Sequence, residues 1–446
     1  LSADITGSAE ASETSVSFRE ALRFWAKLGF ISFGGPAGQI AIMHRELVEL
    51  KHWISEERFL HALNFCMLLP GPEAQQLATY IGWLKHGTRG GIAAGVLFVL
   101  PGFLLITLIS VLYVKFHSVG PVEGILFGLK AAVLAVVIEA VVRIGRRALR
   151  NRCSWIVAGL AFLGIFVFAV PFPAIVFAAA IAGFALHRWR PQWIAADASA
   201  PGPTMPVALA SPGRTLRVLV VCITLWAAPL LIIYSVLGSS HVLMLEGLFF
   251  SKMAVVTFGG AYAVLAYVAQ EAVTGYRWLS ADDMLQGLAL AETTPGPLIL
   301  VLTFVGFLGA FNHAAPFDPI VAGLLGAFLT TWVTFVPCFL WIFLGAPHIE
   351  GLRRRRALSS ALAMVTAAVV GVILNLAIWF GLHALFGSVR TWKGFGMTVA
   401  LPDAASVDLA AVAIAAASAV ALLRLRAPML LVLAASAGTG LILKGG

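Results

Sequence analysis

Apolar residues run along this chain in blocks, and the block lengths predict two kinds of element. Blocks at 92–113, 121–142, 216–237, about 320–345 and 360–385 reach the roughly 20 residues an α-helix needs to cross a bilayer. Two more, 155–186 and 406–443, read as apolar hairpins, the first turning at Pro171-Phe172-Pro173. Blocks at 18–31, 36–50, 55–69 and 73–85 are too short to cross alone. They stop at Gly34-Gly35-Pro36 and at Pro70-Gly71-Pro72, where glycine and proline break helices. Similar short blocks return at 243–258, 259–272, 281–293 and 296–312.

The return is in register. Adding 225 to Phe33-Gly34-Gly35 gives Phe258-Gly259-Gly260, and adding it to Pro70-Gly71-Pro72 gives Pro295-Gly296-Pro297. Between Phe24 and Pro72 no gap is needed, and Lys27 falls on Lys252, Glu46 on Glu271, Trp53 on Trp278 and Ser55 on Ser280. Rare residue types do not recur at one offset through composition, so the chain contains an internal duplication. Short, Gly/Pro-interrupted segments at matching positions of two halves point to a transporter's binding region.

With 60% hydrophobic and 11% charged residues, 446 residues lack the polar surface to coat a soluble globule. The expected fold is an all-α polytopic membrane protein of two inverted-topology repeats with broken or re-entrant helices. A net charge of +9 would suggest nucleic acid in a soluble chain. Here the arginines cluster beside apolar spans, at 143–152, 188–217, 353–356 and 424–426, which is the pattern of cytoplasmic loops and implies no nucleic-acid partner. Placing every cluster inside sets the N-terminus in the cytoplasm and the C-terminus outside the plasma (inner) membrane. The organisation expected is a cytoplasmic tail 1–17, a first repeat 18–186, a cytoplasmic linker 187–213, a linking transmembrane helix 214–237 and a second, inverted repeat 243–443. The tail carries no signal-peptide pattern. Cys66, Cys153, Cys222 and Cys338 lie far apart in apolar sequence and read as packing residues, with no metal or cofactor implied.

A helix that starts inside the membrane presents unpaired N–H groups and the positive end of its dipole, which together suit an anion. Four starts qualify, after Gly35, Pro72, Gly260 and Pro297. The expected substrate-binding residues are Phe33, Gly34, Gly35, Pro36, Pro70, Gly71, Pro72, Gln75 and Gln76 in the first copy, and Gly259, Gly260, Thr293, Thr294, Pro295, Gly296 and Pro297 in the second. Glycine admits an oxyanion close to the backbone, proline presets the first helical turn, and the amides and hydroxyls supply neutral donors. The competing reading is that glycine and proline only kink packed helices. Lys27 and Lys252, about two turns before the Gly-Gly breaks, either supply positive charge to the anion or snorkel to the interface. Arg45, Glu46 and Glu271 are secondary candidates that also fit plain interfacial charges. Glu73 and Glu292 flank the two Pro-Gly-Pro breaks and are either proton-coupling carboxyls or, at a helix start, caps. No HExxH, GxSxG or Walker A pattern is present, so protease, esterase and ATPase readings find no support.

Phe33-Gly34-Gly35-Pro36 with Glu46, Gly71-Pro72-Glu73-Ala74-Gln75-Gln76-Leu77-Ala78-Thr79-Tyr80-Ile81-Gly82-Trp83 and Phe98-Val99-Leu100-Pro101-Gly102 resemble the chromate ion transporter family in its long, two-domain form. Thr257-Phe258-Gly259-Gly260 and Thr294-Pro295-Gly296-Pro297 resemble the weaker C-terminal version of the same domain. The resemblance implies efflux of chromate and resistance to it, with sulfate as the close analogue. The residues alone reach only an oxyanion-compatible secondary transporter, with protons as a candidate coupling ion. A sulfate- or molybdate-type carrier and an anion channel remain alternatives, and the oligomeric state, a homodimer included, stays open. The copies differ at Pro36 against Ala261 and at Gln75-Gln76 against Leu300-Val301, so the first copy is expected to supply more polar contacts.

If Lys27 serves the anion, Lys27→Gln abolishes chromate resistance while the protein stays in the membrane, and Lys27→Arg keeps part of it. Growth under chromate, paired with membrane immunoblots, measures this, and wild-type resistance from Lys27→Gln would leave the lysine a snorkelling residue.

Overall fold

The computed structural model describes residues 16–33, 35–189, 211–258, 260–346 and 356–445. Residues 1–15 of the expected tail, most of the linker, Gly34, Gly259 and Arg353 to Arg355 lie outside these residues.

Helix α1 (Phe18–Ile31) is capped by Ser17, whose hydroxyl accepts from the Glu20 amide, and it buries Ala21, Phe24, Trp25 and Leu28. The chain breaks, takes a left-handed turn at Gly35 (φ +67°) and re-enters a helix as α2 (Gly35–His44), which ends in a π-helical turn Arg45–Leu50. After α3 (Glu56–Cys66), Gly71 adopts φ +120° between two prolines, and α4 (Glu73–Phe116) begins. The blocks at 73–85 and 92–113 are thus one 44-residue helix, kinked at His86 and Gly87. Helices α5 (Gly120–Ala148), α6 (Arg152–Phe166) and α7 (Phe172–Trp189) follow, and α8 (Pro212–Leu237) stands between the copies.

The second copy repeats the order with α9 (Val242–Val256), α10 (Ala261–Gln270), a π-helical turn Glu271–Gly275, and α11 (Ala281–Thr293). A 3-10 turn Leu298–Leu300 leads into α12 (Val301–Asn312), followed by α13 (Pro319–Gly345) and α14 (Arg356–Leu385). The final hairpin is α15 (Leu409–Leu423) and α16 (Met429–Lys444). One element was not expected. Between α14 and α15, β1 (Val389–Gly394) and β2 (Met397–Pro402) form an antiparallel ribbon that turns at Phe395 and Gly396, both with positive φ. Its Thr398 amide donates to the Val167 carbonyl at 2.8 Å, docking it on the end of α6.

Six described helices, within α4, α5, α7, α8, α13 and α14, are long and apolar enough to cross a membrane. Large apolar side chains such as Trp155, Leu160, Phe177, Phe184, Leu231 and Ile232 point outward, the arrangement of a lipid-facing surface. Lipid gives helices no hydrophobic reason to associate, so packing relies on close backbone approach. A Cβ at Gly128 of α5 would lie 1.9 Å from the Ser436 carbonyl oxygen of α16, and one at Gly183 of α7 would lie 2.5 Å from that of Ser360 on α14. The hairpins are therefore exchanged: α6 and α7 of the first copy pack on α14, and α15 and α16 of the second pack on α5.

This exchange is one of several reciprocal contacts. A Cβ at Gly145 would meet Val370 at 3.6 Å and one at Gly381 would meet Leu134 at 3.7 Å. Adding 236 to Gly145 gives Gly381, and adding it to Leu134 gives Val370, so each contact maps onto the other. Reciprocity of this kind is the mark of a two-fold relation. Because residue numbers rise along α5 as they fall along α14, these equivalent spans run antiparallel and cross the membrane in opposite directions.

The register also corrects the sequence alignment past Pro297. Gly82 backs onto the Gly90 carbonyl as Gly306 backs onto that of Gly326, and Gly82 and Gly306 are 224 apart rather than 225. The 3-10 turn at Leu298–Leu300 is where the match slips by one residue, so Gln75 and Gln76 correspond to Ile299 and Leu300.

In a background with the four native cysteines replaced, Gly145→Cys with Val370→Cys, and Gly381→Cys with Leu134→Cys, should both form disulfides in membranes. Gel mobility before and after reduction reads the result. Crosslinking of Gly145→Cys to Gly381→Cys instead would mean that the equivalent spans run parallel.

Candidate substrate site

Each Pro-Gly-Pro break is tied to the end of the other copy's first helix. The Gly71 amide donates to the Thr257 carbonyl at 2.8 Å, and the Gly296 amide donates to the Ser32 carbonyl at 2.8 Å. Both pairs differ by 225, so the two bonds are one bond seen from each copy. Ser32 and Thr257 also turn their hydroxyls back onto the Leu28 and Met253 carbonyls, at 2.6 and 2.5 Å, which satisfies the ends of α1 and α9. Space at the breaks is held by reciprocal small groups. A Cβ at Gly102 would lie 2.3 Å from the Pro295 carbonyl oxygen, and one at Gly71 would lie 2.9 Å from Cys338 Sγ, with Gly102 and Cys338 236 apart.

The start of α4 faces this region. Pro72 caps it, Glu73 is its first residue, and its leading N–H groups have no partner within the helix. Gln75 and Gln76 in that first turn are fully buried. The Gln75 amide nitrogen donates to Thr79 Oγ1 at 3.1 Å and that of Gln76 to the Pro70 carbonyl at 2.7 Å, while both side-chain oxygens lack a partner. A third buried amide joins them. Gln39 of α2 donates to the Gly296 carbonyl and, at 3.4 Å, to that of Ser32, again with its oxygen unpartnered. Buried polar atoms left unpaired are rare in proteins, and these three amides form a polar cluster beside two helix breaks in an apolar body.

The remaining expected residues fall in different places. Pro295, Gly296 and Pro297 are buried at the second break. Thr293 and Thr294 lie there too, but their hydroxyls donate to the Leu290 and Ala291 carbonyls, at 2.7 and 2.8 Å, and keep only acceptor capacity. Phe33, Gly35, Pro36, Pro70 and Gly260 sit half-buried around the breaks. Glu292 is buried and accepts the Tyr262 hydroxyl at 2.6 Å. Arg143 and Arg147 lie one turn apart on α5, and Arg143 pairs with Glu139 at 3.5 Å. The lysines stand off from the breaks: the Lys27 side chain is 61% exposed, with its ammonium 3.8 Å from Glu46, and Lys252 reaches the Tyr267 hydroxyl at 3.5 Å. Arg45 also approaches Glu46, at 3.9 Å, and Glu271 is half-buried in its π-helical turn. Among the described residues no group of three potential ligands could hold a metal.

Gln39 and Tyr262 were not singled out from the sequence, while Gly102 entered only as part of the family motif and Cys338 only as a packing residue. Gln39 carried a usable signal, since it is the one strongly polar side chain between Gly35 and Met43 in a short apolar helix. Tyr262 carried none, because tyrosine in an apolar stretch is ordinary.

A family model described as chromate transporter matches residues 19–184 and 246–441, which is most of the chain and both repeats. The chain belongs to the chromate transporter family. It is 35% identical over 374 residues to a chromate transport protein of Pseudomonas aeruginosa, covering 82% of this chain and 81% of that one. A chromate transport protein of Cupriavidus metallidurans is 30% identical over 364 residues, covering 81% and 82%. A probable chromate transport protein of Synechococcus elongatus is 26% identical over 410 residues, covering 89% and 95%. No solved structure matches the chain significantly.

Within this transporter the breaks are intolerant of a methyl group. Gly71→Ala combines a positive φ with the 2.9 Å approach to Cys338 Sγ, and Gly102→Ala meets the Pro295 carbonyl at 2.3 Å. Each should cost about 1–3 kcal/mol. Thermal unfolding in detergent checks this, and Gly438→Ala, where a Cβ meets nothing within 4 Å, is the neutral control.

Proposed function

We propose that the chain is a secondary transporter that exports chromate from the cytoplasm, through a site at the two cross-bonded helix breaks. The observation that carries this reading is the start of α4: unpaired N–H groups, a glycine break and buried Gln75 and Gln76 meet in an otherwise apolar interior. A tetrahedral oxyanion needs donors rather than a compensating lysine, and helix N-termini supply them with the right sign. The family match supports chromate as the cargo.

The duplication supports a transport cycle of alternating access. Two copies related by a two-fold axis, with equivalent spans antiparallel, give inward- and outward-open states built from the same contacts with the copies exchanged. We place the basic clusters in the cytoplasm, which puts residues 18–186 and 243–443 in the membrane as inverted repeats joined by 214–237 in the plasma (inner) membrane, with the N-terminus inside and the C-terminus outside.

Glu73 stands where the dianion binds. Ionised and about 4 Å from chromate, it would repel each unit of charge by roughly 4 kcal/mol at an effective dielectric near 20. Binding of the anion therefore draws a proton onto Glu73, and the two are released in linked steps.

Chromate flux into inverted vesicles tests the reading, with sulfate and molybdate as competitors. Saturable uptake inhibited weakly by both is expected. Stronger inhibition by sulfate or molybdate would make one of them the main cargo, and flux that follows voltage without saturating would make the protein a channel. Glu73→Gln mimics the protonated acid and should still bind chromate while its transport loses pH dependence. A wild-type pH profile in that variant would reduce Glu73 to a helix cap.

A further inference from the structure

One joint of the second repeat is built differently from its counterpart in the first. Where α9 crosses α12 and α13, Glu246 is fully buried, and neither of its carboxyl oxygens has a hydrogen-bond partner among the described residues. Two glycines make room for it: a Cβ at Gly309 would lie 2.4 Å from Oε1 and one at Gly326 would lie 3.0 Å from Oε2. One turn beyond Gly326, the buried Thr330 hydroxyl is also unpartnered, and it lies 2.1 Å from the Cβ position of Gly306.

The first repeat closes the equivalent crossing of α1 on α4 without these groups. Subtracting 225 from Glu246 gives Ala21, and subtracting 236 from Thr330 gives Ala94, both buried. Subtracting 224 from Gly309 gives Lys85, so the room made by Gly309 is particular to the second copy, whereas Gly326 has Gly90 as its counterpart. Packing therefore does not call for a carboxyl at this crossing. The molecule holds its own control, in which alanine does the structural part alone.

A bare carboxylate in such a place loses its hydration with nothing in return, whereas a neutral acid loses far less. Among the described residues neither of its oxygens has an ion-pair or hydrogen-bond partner. The titratable groups around the crossing are occupied or turned away. His241, before α9, bonds the Ala315 carbonyl at 2.9 Å, and His313, after α12, bonds that of Gly309 at 3.0 Å. Asp318 caps α13, and Tyr276 and Arg277 are exposed in the covering segment. The crossing lies near one end of its helices, since Glu246 is in the first turns of α9 and Gly309 in the last turn of α12. A single aromatic layer covers it: Trp278 lies 3.1 Å from the Cβ position of Gly309, stacks on Tyr276 at 4.4 Å and is pinned by Asn312, which donates to its carbonyl at 2.8 Å.

We propose that Glu246 is a reversible proton-binding site, loaded from the membrane face that carries the 238–241 and 313–318 loops. With the proton on, the neutral acid fits the dry crossing and α9 packs on α12 and α13. With the proton off, the carboxylate draws in water under Trp278 and loosens that packing. Helix α9 ends at Thr257, whose carbonyl holds the Gly71 amide, so a shift at this joint reaches the substrate break along one rigid element. Its part in coupling rests on the transport reading above; the proton site itself does not.

Infrared difference spectroscopy on the full chain in substrate-free proteoliposomes reads the site directly. Wild type minus Glu246→Gln should show a protonated-carboxyl band that is present at acid pH and lost at alkaline pH. Glu246→Ala, which restores the residue of the first repeat, should insert and unfold at the wild-type temperature. No carboxyl band, or one that persists unchanged across pH, overturns the proposal. In chromate flux, a pH profile shifted from wild type in Glu246→Gln supports the coupling role, and an unaltered wild-type profile overturns it. A titrating band in a protein that moves no chromate would support the proton site while overturning the transport reading.

Discussion

Everything in this molecule answers to one constraint, which is that a helix broken inside a membrane leaves backbone groups with no water to satisfy them. Pro-Gly-Pro frees the Gly71 and Gly296 amides, and the break after α1 and α9 frees the Ser32 and Thr257 carbonyls. Each freed donor is matched to a freed acceptor of the other copy, at 2.8 Å in both cases. Neither break can be satisfied by its own repeat, so the duplication is not two modules side by side. The two halves complete one another's hydrogen bonds, and what remains unpaired there is the helix-start N–H groups, with the side-chain oxygens of Gln75 and Gln76.

On this symmetric scaffold the polar side chains are distributed unequally. The first copy carries amides at Gln39, Gln75 and Gln76, where the second has Val264, Ile299 and Leu300. The second carries acidic or phenolic groups at Glu246, Tyr262 and Glu292, where the first has Ala21, Ala37 and Met67. Neutral donors suit an oxyanion and carboxyls suit a proton. Duplication followed by this divergence keeps the backbone symmetric while the polar side chains of the two copies differ in kind.

The architecture was legible in the sequence because its signals are long and redundant. Spans of apolar residues, Gly/Pro breaks and the 225-residue register each pointed to the same fold. What escaped is local or depends on three dimensions. The ribbon at 389–402 is a pair of six-residue strands, too short to stand out beside spans four times that length. The slip after Pro297 hides in a run of aliphatic residues where any alignment scores alike. At the site, Gln75, Gln76 and both Pro-Gly-Pro breaks were found because glycine, proline and amides are conspicuous in apolar sequence. The Gln39 bond to Gly296 spans 257 positions and the Tyr262 bond to Glu292 spans 30, and no helical periodicity reports either. Lys27 and Lys252 drew attention for their charge, yet their side chains pair with Glu46 and Tyr267 away from the breaks.

The exchanged hairpins restrict how such a molecule can move. Rigid separation of the repeats would strip α6 and α7 from α14 and α15 and α16 from α5, where glycines bring backbone against backbone at Gly128, Gly183 and Gly371. Surfaces packed that closely do not slide by degrees, because a shift of one ångström turns contact into overlap. The long spans and hairpins therefore behave as one interlocked frame. The short broken helices are tied to that frame by two amide-to-carbonyl bonds at the breaks, by the crossings of α1 on α4 and of α9 on α12 and α13, and by α10 on α14 and α11 on α4 and α5, where Tyr113 and Lys130 bond Asp283 and Asp282. Both crossings carry titratable groups, His86 beside Phe18 where α1 meets α4 and Glu246 where α9 meets α12 and α13, but among the described residues only Glu246 is a carboxyl with both oxygens unpartnered at such a joint, and there the side-chain asymmetry departs furthest from the backbone symmetry.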